Sequence, residues 1–204
     1  MTATLKILRD EHAALASMLR TLPLLVSASS GDRDPDFRLL RDMVFYVADF
    51  PERQHHRKES DLLFPKLRAR APQARELLDR LEEEHALCES WIRTLEHALT
   101  AWELMGEPRR AAFETAVRRY TEFYLAHMAL EESDVLPLAL QELTPADWNE
   151  LDEALAPEPD PRTGLQPEAA YRVLFDRIAA TVPARILGTV ALPQLPGGAL
   201  RSGA

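Results

Sequence analysis

His55 and Glu59 stand four residues apart, and Pro65 follows six residues after the glutamate. The same figure returns 72 residues later as His127, Glu131 and Pro137. On a helix a four-residue step turns about 40° and rises about 6 Å, so imidazole and carboxylate share one face. Two further histidines, His12 and His85, lie 73 residues apart, and each follows acidic residues: Asp10-Glu11 and Glu82-Glu83-Glu84. Leu5 and Leu8 precede the first by seven and four residues, and Leu78 and Leu81 precede the second likewise. The chain therefore reads as two copies of a helical hairpin, each with a lone His followed by His-x-x-x-Glu.

Four imidazoles and two carboxylates at one level of a helical bundle suit a pair of first-row metal ions. Imidazole suits Fe, Zn, Cu and Ni, while carboxylate tolerates harder ions such as Mn and can bridge two of them. A buried ionised carboxylate without partners is costly, and paired cations remove that objection. Taken singly, each feature has a plain structural reading. His and Glu at this spacing are usually neighbours on a helix surface, and a core-facing His is usually a hydrogen-bonded core residue. The joint pattern, in matching order on separate helices, favours metal.

The expected ligands are His12, His55, Glu59, His85, His127 and Glu131. His56, about 100° round from His55, Glu89, four after His85, and Tyr120, two turns before His127, are candidates for an additional ligand or an outer partner. His97 and the run Glu82–Glu84 read as solvated surface, and Cys88 as a buried, inert thiol.

The elements that must position these groups are long helices. Leu5, Leu8, Leu15, Leu19 and Leu22 form a core-facing stripe from about residue 2–4 to the high twenties, with Pro23 expected to kink or end it. A loop at 27–34 leads to Asp34-Pro35, an N-cap followed by proline at the first helical position. The second helix runs through Phe37, Leu40, Val44, Val47 and Phe50 to Glu59, with a bend expected at Pro51. A third helix runs from Pro72 towards Gly106, and a fourth from about Pro108 to Leu140. Short joints between long helices predict an all-α fold, an antiparallel up-down four-helix bundle over residues 1–143. A short helix to about Leu155, a stiff linker at 157–164 and a helix over 167–181 form an extension at 144–190 packed on the bundle. Residues 191–204 read as a flexible tail.

With 204 residues the chain can build a substantial core, and 46% apolar with 28% charged residues is ordinary for a globular protein. A formal charge of −9 argues against nucleic acid, which needs a basic surface. No apolar run approaches the roughly 20 residues of a membrane span. The first residues lack a signal-peptide core, and a single cysteine offers no intrachain disulfide. A cytoplasmic location is the expectation.

The order His12, His55-x-x-x-Glu59, His85, His127-x-x-x-Glu131 resembles the hemerythrin-like, HHE cation-binding family. The phrase Phe50-Pro51-Glu-Arg-Gln-His55-His56-Arg-Lys-Glu59-Ser-Asp-Leu-Leu-Phe64-Pro65 is similar to its central motif almost throughout. Glu158-Pro-Asp-Pro-Arg-Thr-Gly164 with the following helix is similar to the C-terminal extension of bacterial members, so the likeness covers about residues 4–188. It implies a four-helix bundle holding two non-haem Fe ions bridged by Glu59 and Glu131, with Zn or Mn as substitutes. Oxygen-carrying members use five histidines, with a His-x-x-x-His pair on the third helix and an Asp on the fourth. Here those positions hold Glu89 and Glu131, which points to the bacterial four-His, two-Glu relatives. Those are associated with peroxide or nitric oxide handling, iron homeostasis and oxygen sensing. Two readings stay open: reversible binding or turnover of a small ligand (oxygen, peroxide or nitric oxide), with catalase-like or nitric-oxide-reducing activity as the enzymatic form, and non-enzymatic iron or oxygen/redox sensing through a protein partner. The oligomeric state is not legible.

Overall fold

The computed structural model describes residues 2–28, 35–156 and 167–187. The expected linker at 157–164, the tail at 191–204 and Asp34 lie outside them. Among the described residues there is no strand.

The first helix, α1 (Ala3–Ala28), buries its leucine stripe completely. Pro23 does not end it: the helix carries the proline and continues for five residues, with Leu25 and Val26 buried. Burying two such side chains gains about 1.5–3 kcal/mol each, enough to offset the roughly 3 kcal/mol that an internal proline costs. The next helix, α2 (Phe37–Phe50), starts later than expected. Its N-cap is Asp36, whose carboxylate accepts from the Leu39 backbone N–H at 3.0 Å. Pro35 therefore stands before the helix, not at its first position.

Past Phe50 the helix widens instead of breaking. Two π-helical turns, Pro51–His55 and Lys58–Leu63, lead into α3 (Phe64–Arg70). There the His56 N–H returns to Pro51 O and the Phe64 N–H to Glu59 O, each five residues back. Where the sequence predicts a bend at Pro51, the structure has a widened turn. After a 3₁₀ turn at Pro72–Ala74, α4 (Arg75–Met105) runs the length of the bundle. It stops at Gly106, whose φ of 76° is a conformation open to glycine. The last rod is α5 (Arg110–Leu130), a π turn at Glu131–Val135, and α6 (Leu136–Glu142).

The repeated proline thus has a backbone meaning. Pro65 and Pro137 each sit in the first turn of the α segment that follows a π turn. Proline lacks an N–H, and its ring collides with the carbonyl four residues back; a widened turn before it accommodates both. Such turns are rare and concentrate at functional sites. Here they fall at Glu59 and Glu131.

Four rods (α1, α2 to α3, α4, α5 to α6), joined by short connections, make an antiparallel bundle with two apolar clusters. One contains Leu15, Leu19, Val47, Leu95, Trp102, Val117 and Tyr124. The other contains Leu5, Leu8, Leu63, Phe64, Leu78, Leu81, Val135 and Leu136, so it draws matching residues from both copies of the repeat. The histidines lie between the clusters: His12 between Leu8 and Leu15, His85 between Leu81 and Cys88.

Among the described residues, three more helices pack on the rods. A capping box between Thr144 and Asp147 opens α7 (Pro145–Ala154). Its Trp148 and Leu151 join the second cluster, and Asp152 accepts from the Thr4 N–H at 2.8 Å. Phe175 and Ile178 of α8 (Pro167–Thr181) and Ile186 of α9 (Ala184–Leu187) join the first cluster. The Tyr171 hydroxyl donates to Asp49, and Arg177 pairs with Asp42 at 3.1 Å. No described helix is long and apolar enough to cross a membrane.

Candidate metal centre

The six residues expected as ligands converge at one level. His12 Nε2 and His55 Nε2 are 2.9 Å apart, and His85 Nε2 and His127 Nε2 are 3.1 Å apart. Glu59 and Glu131, 1% and 0% exposed, lie between the two pairs. Glu59 faces His12 at 3.8 Å through Oε1, and His55 and His85 at 3.6 and 3.5 Å through Oε2. Glu131 faces His12 at 3.3 Å through Oε2, and His127 and His85 at 3.2 and 3.8 Å through Oε1. These contacts lack hydrogen-bond geometry: all four carboxylate oxygens are buried without a hydrogen-bond partner.

The outward nitrogens explain why the inner ones face each other. His55 Nδ1 is 2.9 Å from Glu11, His127 Nδ1 is 2.9 Å from Glu84, and His12 Nδ1 is 2.9 Å from Glu132. A carboxylate can only accept, so each of these rings carries its proton on Nδ1 and turns the Nε2 lone pair inward. His85 Nδ1 meets the Ser60 hydroxyl at 3.1 Å. Acceptors therefore converge on acceptors. Only protons or cations between them make the arrangement stable, and imidazoles with carboxylates are a donor set that fits first-row cations.

The titration behaviour follows the same logic. Burial opposes charge on His127, but Glu131 and Glu84 outweigh it and push its pKa up to about 9. Burial likewise opposes charge on His12, and Glu131, Glu132 and Glu59 hold it well above the ordinary value. Burial would raise the Glu131 carboxyl, yet His127, His12 and His85 hold it well below the usual range. Glu11 is lowered against its burial by His55 and by Lys58, with which it forms a buried ion pair.

The repeat extends to these outer groups. Glu11 and Glu84 directly precede His12 and His85, and each reaches the other histidine of its own copy. Ser60 and Glu132 directly follow the two inner glutamates, and each reaches the lone histidine of the opposite copy. The expectation that Glu82–Glu84 is a solvated face fails at Glu84. The clue was present: an acidic residue immediately before the histidine in both copies.

The remaining candidates separate clearly. His56 is buried, its ring stacked on that of His85 at 3.9 Å between centroids, and its Nε2 is 2.8 Å from the Tyr124 hydroxyl. Burial, then the neighbouring His85, His55 and His127, push its pKa well down. The spacing singles out Tyr120, but Tyr124, one turn before His127, is the tyrosine that meets His56. The Tyr120 hydroxyl donates to Val47 O at 3.0 Å, away from the carboxylates. Glu89 is exposed and paired with Arg93 at 3.4 Å, and it also lines the small cavity that ends on His56 and His85. His97 is exposed. Cys88 is buried, and burial with Glu131 and Glu84 nearby pushes its thiol up to about 12.

The model of the hemerythrin HHE cation binding domain matches residues 3–139. No curated protein matches the chain.

Proposed function

The chain belongs to the hemerythrin HHE cation-binding family, and from that premise we propose that it is a cytoplasmic di-iron protein that binds or turns over a small ligand: oxygen, peroxide or nitric oxide. His12 and His55 would hold one ion and His85 and His127 the other, with Glu59 and Glu131 shared between them. The observation that carries this reading is the pair of wholly buried carboxylates that lack hydrogen-bond partners and face four inward-turned imidazoles.

When bound, the iron pair would supply redox equivalents and an open position for the ligand. The chain's own residues do the rest. Glu11, Glu84 and Glu132 fix the tautomer and aim of three imidazoles and raise their basicity. The leucines on either side keep water away, which strengthens every charge interaction inside. His56, stacked on His85 and hydrogen-bonded to Tyr124, provides a buried polar group beside one half of the centre.

The test is anaerobic iron loading followed by peroxide and nitric oxide consumption in wild type and Glu59→Ala. Turnover that is lost in the variant supports the enzyme; iron-loaded wild type that consumes neither counts against it. The second reading, a redox or iron sensor, is favoured by the seating of α8. Tyr171 packs edge-on against Phe50 at 5.2 Å, next to the π turn that carries His55. Sensing predicts that hydrogen exchange over 167–187 changes on iron loading or oxidation.

A further inference from the structure

Among the described residues, two openings in the bundle wall flank the centre, and they differ. Between α2 and α4 a vestibule of about 140 Å³ is lined by Phe45, Ala48, Asp49, Glu89, Ile92, Arg93 and Glu96. It shares Ala48, Glu89 and Ile92 with a narrow inner cavity of about 10 Å³, room for one water-sized group, that ends on His56, His85 and Cys88. On the opposite side, between α1 and α5, a groove of about 290 Å³ reaches His12 past Arg9, Arg20 and Glu132.

The groove meets the wrong edge of its histidine. It is lined by Glu132, the residue that occupies His12 Nδ1, so it faces the side turned away from the carboxylates. The inner cavity is not lined by Ser60, the partner of His85 Nδ1, and instead is walled by His56. Ring nitrogens of His56, His85 and His127 all lie within 4.8 Å of one another. His56 therefore stands where it can hydrogen-bond a molecule bound beside the other two. Glu89 lines both the vestibule and the inner cavity and pairs with Arg93 at 3.4 Å.

We infer that the exogenous ligand reaches the ion held by His85 and His127, through the cavity between α2 and α4, with His56 as its hydrogen-bonding neighbour. The inference rests on the dimetal reading above. The vestibule also sets the ligand class. Asp49, Glu89 and Glu96 outnumber Arg93, so the mouth disfavours anions and admits neutral molecules.

The test uses nitric oxide, neutral and diatomic, with the full chain loaded anaerobically with Fe(II). Association is followed optically in wild type, Ala48→Phe and Ala16→Phe, the last filling the groove beside His12. The expected result is association slowed about tenfold or more by Ala48→Phe and unchanged by Ala16→Phe, at wild-type iron content. Slowing by Ala16→Phe alone, or by neither, overturns the inference while leaving the dimetal reading intact. Wild-type protein that takes up no iron overturns both. If Ala48→Phe loses iron, the smaller Ala48→Leu replaces it, with the same two outcomes.

Discussion

The His12–His55 half of the centre and the His85–His127 half share one plan and differ in what stands behind it. Both set two imidazoles from facing rods against the same two carboxylates. Behind the first half stand two acids, Glu11 and Glu132, with Lys58 paired to Glu11. Behind the second stand one acid, Glu84, and one hydroxyl, Ser60, with His56 and Tyr124 alongside. The lesson is that positions follow the repeat out to the groups behind the imidazoles, whereas residue types diverge, with Ser60 standing where the other half has Glu132. Equivalent ligands need not make equivalent ions.

The largest effect should come from removing what the halves share. Glu131→Ala deletes a carboxylate that faces both pairs, so bound metal per chain should fall towards zero; full retention, read by metal analysis, would count against sharing. Next come the outer partners, whose loss costs a metal site about 10- to 100-fold in affinity. Glu132→Ala should fall in that range, and Ser60→Ala should cost clearly less, because a hydroxyl orients His85 without adding negative charge. Equal losses in a competitive iron titration would erase the distinction between the halves.

Protons should mark the same frame in the metal-free protein. The His127 pKa rises from about 6.5 in the unfolded chain to about 9 when folded. Stability from its charged form is therefore complete below about 6.5 and is lost as pH rises through about 9. Denaturant midpoints should fall over that window without metal and hold once metal replaces the protons. A flat profile without metal would mean that the acids do not hold the imidazolium. The smallest effect concerns Cys88, whose raised thiol makes it a poor nucleophile. Thiol labelling at pH 8 should stay slow until unfolding, and fast labelling of the native protein would show that the wall beside His85 opens.

Much of this was legible because period and spacing survive folding. The leucine stripe fixed the buried face of α1, and the two His-x-x-x-Glu figures fixed which helix levels meet. Tertiary context decided the rest. Asp36 took the cap expected of Asp34, and burial of Leu25 and Val26 carried α1 past Pro23. Glu84 and Glu89 have the same charge and lie on one helix five residues apart, yet one meets His127 and the other lines the mouth between α2 and α4, paired with Arg93. Helical spacing from His85 alone could not separate them, because the position of α5 decides which one meets a histidine. The π turns have no simple sequence signature beyond the proline six residues after each glutamate.

The central claim is that the six convergent groups hold a pair of ions. Anaerobic titration of the metal-free chain with Fe(II), followed to saturation and checked by metal analysis after desalting, tests it directly. The account predicts two ions per chain, with proton release as the imidazoles give up their protons. Saturation at one ion or none would contradict it.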